Sequence, residues 1–173
     1  MAEEFLCLMA EYCEEDQEKI DRWYNALQAA GFQGQQTPGL KHHLSIATFP
    51  LEQEEAAKAL VHRLAARLAS RKAAIRHVGV MPGGRVLFAA PDMTEELVQL
   101  QKATGCEQVG GHLWLPHTTM LMDEPEVIGR ALPVLMQHFT PLLATIDRLE
   151  LCAFWPVRHI LTLELKGKQE ISS

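Results

Sequence analysis

No uninterrupted apolar stretch in the sequence approaches the roughly 20 residues that a membrane-spanning helix requires. The opening residues "MAEEF" lack the basic region and apolar run of a secretory signal. A soluble, cytoplasmic protein is the expectation. Paired cysteines are missing too: Cys7, Cys13, Cys106 and Cys152 form no CxxC and no zinc-like spacing. They read as reduced, mostly buried thiols, with no structural metal. Positive charge is scarce, with 16 Lys and Arg against 22 Asp and Glu and a formal net charge of -6. Broad adhesion to nucleic acid needs a basic surface that displaces counterions, so this balance argues against it and leaves room only for a local basic pocket. A long linker is also absent. The 173 residues, 47% of them hydrophobic, suffice for one sizeable core, so residues 1–173 are read as a single domain and a monomer.

What is present is an interleaved series of strands and helices. Residues 5–10, "FLCLMA", are continuously apolar, which predicts a strand covered on both faces. In "EEDQEKIDRWYNALQAAG", Ile20, Trp23, Leu27 and Ala30 recur at helical steps, acidic residues crowd the first turn, and Gly31 stands at the end. The turn-rich "QGQQTPG" leads to the strand "KHHLSIATFP". A helix is then predicted over "LEQEEAAKALVHRLAARLAS", with Leu60, Leu64 and Leu68 on one face and Arg63, Arg67 and Arg71 on another. That arginine row reads as a solvated face. "AAIRHVGV" and "RVLFAAP" are strands joined by the turn "MPGG". A third helix, "TEELVQLQKATG", precedes the strand "LWLPHTTMLM". A fourth runs from near Asp123 and Pro125 toward Phe139, with Pro133 as a kink site. "IDRLELCAF" and "HILTLELK" close the chain as strands around "WPVR".

The second half repeats the first. With His43 superposed on His117, an offset of 74, Gly31 falls on Gly105 and each ends a predicted helix. Pro82 falls on Pro156, each in a turn between two strands, and Val86–Ala90 aligns with Ile160–Glu164. Both histidines begin the pattern His-x-Ser/Thr. A third copy, His138-Phe139-Thr140, has no partner at this offset and lies where a helix should end, where histidine serves the last carbonyls.

Strand geometry sorts these residues. Side chains at i and i+2 share a face, so His43 and Ser45 point one way while Leu44 and Ile46 point to the core, and His117 pairs with Thr119 likewise. His42 is in register with Leu44 and reads as structural. Two imidazoles across a cleft, each beside a hydroxyl, suit phosphoryl transfer at a ribose. One acts as base while neutral, the other as acid while protonated, and the hydroxyls hold the non-bridging phosphate oxygens. A zinc site on the same histidines would want His, Asp, Glu or Cys as a third ligand, and the companions are Ser45 and Thr119.

The segments "HHLSIATF" and "PHTTMLM" resemble the paired His-x-Thr/Ser-x signatures of the two-histidine (2H) phosphoesterase superfamily, the bacterial 2'-5' RNA ligase and cyclic phosphodiesterase proteins. "PGGRVLFAAPDMTEELVQLQKAT" is similar to the segment between that family's motifs, so the resemblance spans nearly the whole chain. It implies a bilobal α+β fold, with two pseudo-symmetric lobes of mainly antiparallel sheet, helices packed outside, and a central cleft. The implied activity is a metal-independent phosphoesterase acting on 2',3'-cyclic phosphates or 2'-5' phosphodiester bonds of nucleotides or RNA ends, without cofactor. By that analogy His43 and His117 are the acid/base pair and Ser45 and Thr119 the phosphate ligands. Ser45 stands where threonine is commoner, and Thr118 and Met120 replace more usual aliphatic residues, which alters inward packing. A nucleotide- or RNA-binding module of the same fold, and a hydrolase of cyclic oligonucleotide signals, are the alternative readings.

Four further residues are candidates for substrate binding. In the resembling proteins the strand after "MPGG" lines the cleft, which brings in Arg85 for phosphate and Phe88 for stacking on a base. Three apart, these two cannot face the same way on a regular strand. Arg158 and His159 occupy the near-equivalent turn of the second half and close the other side of the site.

Overall fold

The computed structural model describes residues 4–168. Its first strand, β1 (Phe5–Tyr12), is apolar on both faces because both are covered. Leu6, Leu8, Ala10 and Tyr12 are fully buried in the main core with Ile20, Trp23 and Leu27 of α1 (Glu14–Ala29). Cys7 and Met9 point the other way, into a smaller cluster with Cys152 and Phe154. The acidic first turn of α1, Glu14, Glu15 and Asp16, sits where the helix dipole favours negative charge. The helix ends before Gly31, whose φ of +91° is open to glycine at little steric cost. Ala30, expected on the apolar face, is exposed past that end.

The chain continues through β2 (His43–Pro50), a 3₁₀ turn (Leu51–Gln53), α2 (Glu54–Arg67), β3 (Arg71–Val80), β4 (Val86–Pro91) and α3 (Glu95–Lys102). A two-residue ladder of β5 (Gln108–Val109) and β6 (His112–Leu113) follows, then β7 (Thr118–Met122), α4 (Pro125–His138), β8 (Leu142–Phe154) and β9 (Arg158–Glu164). Seven strands make one sheet, ordered β2-β1-β8-β3-β4-β7, with β9 also pairing β8; every pairing is antiparallel.

The two long strands turn this sheet into two lobes. Leu142–Ile146 of β8 pairs with Arg71–Ile75 of β3, centred on Ala73 opposite Ala144, both fully buried. Beyond this seam the strands part: the rest of β8 runs between β1 and β9, while the rest of β3 pairs β4. The result is a bilobal α+β architecture in which each half of the chain contributes one strand to the seam. Helices α1 and α4 meet on the outside, where the Trp23 and Phe139 rings lie 4.7 Å apart.

Two predicted elements are shorter than expected. Helix α2 stops at Arg67, so Leu68 is extended and Arg71 opens β3; the arginine row is reduced to Arg63 and Arg67. The helix end is tied off from outside, since the Lys166 N–H donates to the Ala65 carbonyl and the Gly167 N–H to that of Leu68. A Cβ at Gly167 would overlap the Arg67 carbonyl oxygen, so only glycine passes there. The strand expected over "LWLPHTTMLM" is broken as well: Leu113 ends β6, and β7 begins at Thr118, one residue after His117. Pro116 has no N–H for a ladder, which separates the two pieces. No helix among the described residues is long and apolar enough to cross a membrane.

Candidate active site

His43 and Ser45 stand on one face of β2, and β1 sets Glu11 opposite His43 and Met9 opposite Ser45. Leu44 and Ile46 are fully buried on the other face, as the alternation requires. The His43 Nδ1 lies 2.7 Å from the Lys41 carbonyl, and the His117 Nδ1 lies 2.8 Å from that of Leu115. A carbonyl oxygen only accepts, so in both rings Nδ1 carries the proton and donates it. Nε2 of each neutral ring is therefore the atom left with a free lone pair. The two histidines thus have the same tautomer, fixed the same way by the carbonyl two residues earlier.

Burial pushes both imidazoles below their usual pKa near 6.5. At His43 the charges of His42 and His117 act in the same direction, while the Lys41 carbonyl and Glu150 oppose. For His117 the Leu115 carbonyl is the opposing group. The Ser45 hydroxyl lies against the Cys7 thiol, which burial raises to about 11 and Ser45 holds back in part.

Thr118 joins the two motifs. Its hydroxyl donates to the His43 carbonyl at 3.1 Å and lies 2.8 Å from the Tyr12 hydroxyl. Because the threonine proton is committed to the carbonyl, the tyrosine is the donor in the second bond. The Trp114 indole N–H donates to the Ser45 carbonyl at 2.8 Å. Two carbonyls on the edge of β2 are thereby capped by side chains from the other half of the chain. Thr118, buried to 1% exposure, is thus a polar tie between the two lobes.

The four other candidates divide. The Phe88 ring meets His117 edge-on, with centroids 5.5 Å apart, and β4 pairs Phe88 with Thr119. It packs over Gly79 of β3, where a Cβ would come within 2.5 Å of the ring. Arg85 lies at the far end of β4, where Asp123 follows β7, and its guanidinium donates to Glu124 at 2.6 Å. Arg158 is held by both oxygens of Glu54 at the start of α2, at 3.2 and 2.6 Å. His159 lies opposite Cys152 and beside Glu150. His42 is anchored by Gln17 through its backbone and by Asp21 at its ring, 2.8 Å away.

A cavity of about 220 Å³ opens beside His43, lined by Glu11, Gly39, Lys41, Arg148, Glu150, His159 and Thr162. Apart from His159, these residues escaped the motif search. Glu11 is only 2% exposed, and burial together with the neighbouring Glu150 raises its carboxyl to about 8. Glu150 is held on the acid side of its usual range, because its hydrogen bonds to Glu11 and His159 outweigh the cost of burial. One proton on Glu11 is thus shared with an ionised Glu150. Lys41 and Arg148 both reach Glu14, at 2.5 and 2.9 Å. The signal available in sequence was Glu11 itself, a charged residue closing an otherwise apolar run.

No family model and no curated protein matches the chain. Solved structures do match. TT0787 of Thermus thermophilus is 19% identical with a TM-score of 0.65, covering 95% of this chain and 100% of that one. A protein described as a phosphoesterase is 19% identical with a TM-score of 0.62, covering 95% and 99%. Escherichia coli LigT, solved with 3'-AMP, is 18% identical with a TM-score of 0.60, covering 94% and 98%; it has also been solved with NADP+, ATP and phosphate. At such identities the likeness establishes the bilobal α+β fold over nearly the whole length of both chains.

Proposed function

We propose that this chain, acting as a single two-lobed domain, is a phosphoesterase for 2',3'-cyclic phosphates or 2'-5' phosphodiester bonds in small nucleotides or RNA ends. The observation that carries the reading is the matched pair of histidines, each with Nδ1–H committed to a carbonyl and a hydroxyl two residues on. The complexes of E. coli LigT with 3'-AMP and phosphate support a phosphate-bearing ligand for this fold.

In the proposed reaction the phosphate lies between the two Nε2 atoms, with Ser45 and Thr119 donating to its non-bridging oxygens. The neutral histidine takes a proton from water as its oxygen bonds to phosphorus. The protonated histidine gives its proton to the departing ribose 3'-oxygen, which leaves a 2'-phosphate. In reverse a ribose hydroxyl replaces water and the histidines exchange roles. Phe88, already against His117, flanks the nucleoside side. The acidic balance of the chain favours a short substrate over long RNA.

The test is incubation with 2',3'-cyclic mononucleotides, 2'-5' dinucleotides and cyclic dinucleotides, with and without EDTA, beside His43→Ala and His117→Ala. The reading expects EDTA-insensitive turnover that both substitutions abolish. Turnover surviving both substitutions refutes the mechanism, and binding without turnover on any substrate assigns the fold a binding role instead.

A further inference from the structure

β8 and β9 carry a second constellation that the histidine pair does not use. Glu150 and Cys152 are two apart on β8 and share its cleft face, while β9 sets His159 opposite Cys152. Alternate residues on one strand and a cross-strand neighbour can converge on a single point. His159 Nδ1 lies 3.4 Å from Cys152 Sγ and 2.5 Å from Glu150 Oε1, and all three ligand atoms fall within 4.8 Å of one another. A tetrahedral zinc ion with bonds of about 2.3 Å to sulfur and about 2.0 Å to nitrogen separates those two atoms by about 3.5 Å. The sulfur–nitrogen edge is therefore already formed, and the carboxylate need withdraw by only about 1 Å. Glu150 and Cys152 are buried, His159 is half-exposed, and the cavity lined by Glu150 and His159 provides the way in. Glu11, which also lines the cavity, hydrogen-bonds Glu150, as partners of ligating carboxylates do.

We propose that Glu150, Cys152 and His159 form a site for a zinc-class divalent ion, with the fourth position open to the cavity. Thiolate and imidazole select zinc over magnesium or calcium. Sulfur, nitrogen and oxygen each donate a lone pair to the ion, no electron is transferred, and the thiol proton leaves to solvent. The spacing of Cys152 and His159 matches no zinc motif because the ligands are joined across a strand pair.

The reduced, metal-stripped protein is titrated with Co²⁺ and followed by absorption. One equivalent should bring a thiolate-to-cobalt charge-transfer band and the strong visible bands of tetrahedral cobalt, both bleached by Zn²⁺. Cys152→Ser should remove the charge-transfer band. His159→Gln, at a half-exposed side chain, should weaken binding by about tenfold or more. His43→Gln should leave the titration unchanged, which keeps this result separate from the fate of the phosphoesterase reading. Circular dichroism of each variant distinguishes a lost site from a lost fold, and if Cys152→Ser misfolds, His159→Gln decides. Absence of the band in the unmodified protein, its retention in a folded Cys152→Ser, unchanged affinity in His159→Gln, or an equal loss in His43→Gln each overturns the assignment.

Discussion

Replacing Thr118 by valine keeps the volume of a fully packed side chain and deletes its hydroxyl. That hydroxyl makes two hydrogen bonds, at 3.1 Å to the His43 carbonyl and 2.8 Å to the Tyr12 hydroxyl, and the tyrosine is fully buried. Sealed in the core, the Tyr12 O–H is left unpaired, at about 1–3 kcal/mol for a buried polar group. The lost bond to the half-buried His43 adds about 1 kcal/mol, so Thr118→Val should destabilise the fold by about 2–4 kcal/mol. Tyr12→Phe removes only the tyrosine–threonine bond and should cost about 1 kcal/mol. In the double variant neither residue strands the other, so its cost should fall short of the sum of the singles by about 1 kcal/mol or more. Equilibrium urea unfolding, monitored by circular dichroism and fluorescence, measures all three. If Thr118→Val costs less than about 0.5 kcal/mol, or the double variant is additive, the proposed polar tie between the lobes is wrong.

Other expectations follow from the same geometry. His43→Ala and His117→Ala should each lower kcat by about 10²- to 10⁴-fold on a 2',3'-cyclic nucleotide, measured by chromatography of the 2'-phosphate product. The pH dependence of kcat/KM should be bell-shaped. It falls on the acid side as the base is protonated and on the alkaline side as the acid loses its proton. Since burial depresses both imidazoles, its centre should lie on the acid side of their usual 6.5; a rate that only climbs with pH contradicts the pairing. Glu11 titrates near 8 when folded and near 4.5 when unfolded, so the folded state holds the extra proton between these values. Its contribution to stability is complete below 4.5 and is lost as pH rises to 8, so Glu11→Gln should flatten the pH dependence of the urea midpoint over that window. Gly79→Ala places a methyl 2.5 Å from the Phe88 ring and should cost about 1–3 kcal/mol by overpacking, with reduced turnover as the ring is driven against His117.

Periodicity and punctuation made much of the architecture legible. Ile20, Trp23 and Leu27 announced α1, Gly31 its end, and the His-x-Ser/Thr register placed Leu44 and Ile46 in the core without reference to any neighbour. These are local properties, set by side-chain period and backbone freedom, and a sequence displays them directly. Where helix α2 overran, a contact distant in sequence was responsible, whereas the break before β7 lay in Pro116, within the segment itself. Helix α2 looked longer than it is because the groups that finish it, Lys166 and Gly167, arrive from beyond β9.

The sequence by itself pointed to the repeat, the two histidines and the hydroxyls beside them as candidates. Tertiary structure decided which other residues meet them. Thr118 read as an odd substitution until Tyr12 and the His43 carbonyl came within reach. Arg85 and Arg158 carried the right charge for phosphate, yet carboxylates from other elements hold both. Glu11, Glu150, Cys152 and His159 lie on three strands and converge only because antiparallel pairing sets their registers. Alternation along a strand says which face a residue takes; register across strands says whom it faces, and that depends on the whole sheet.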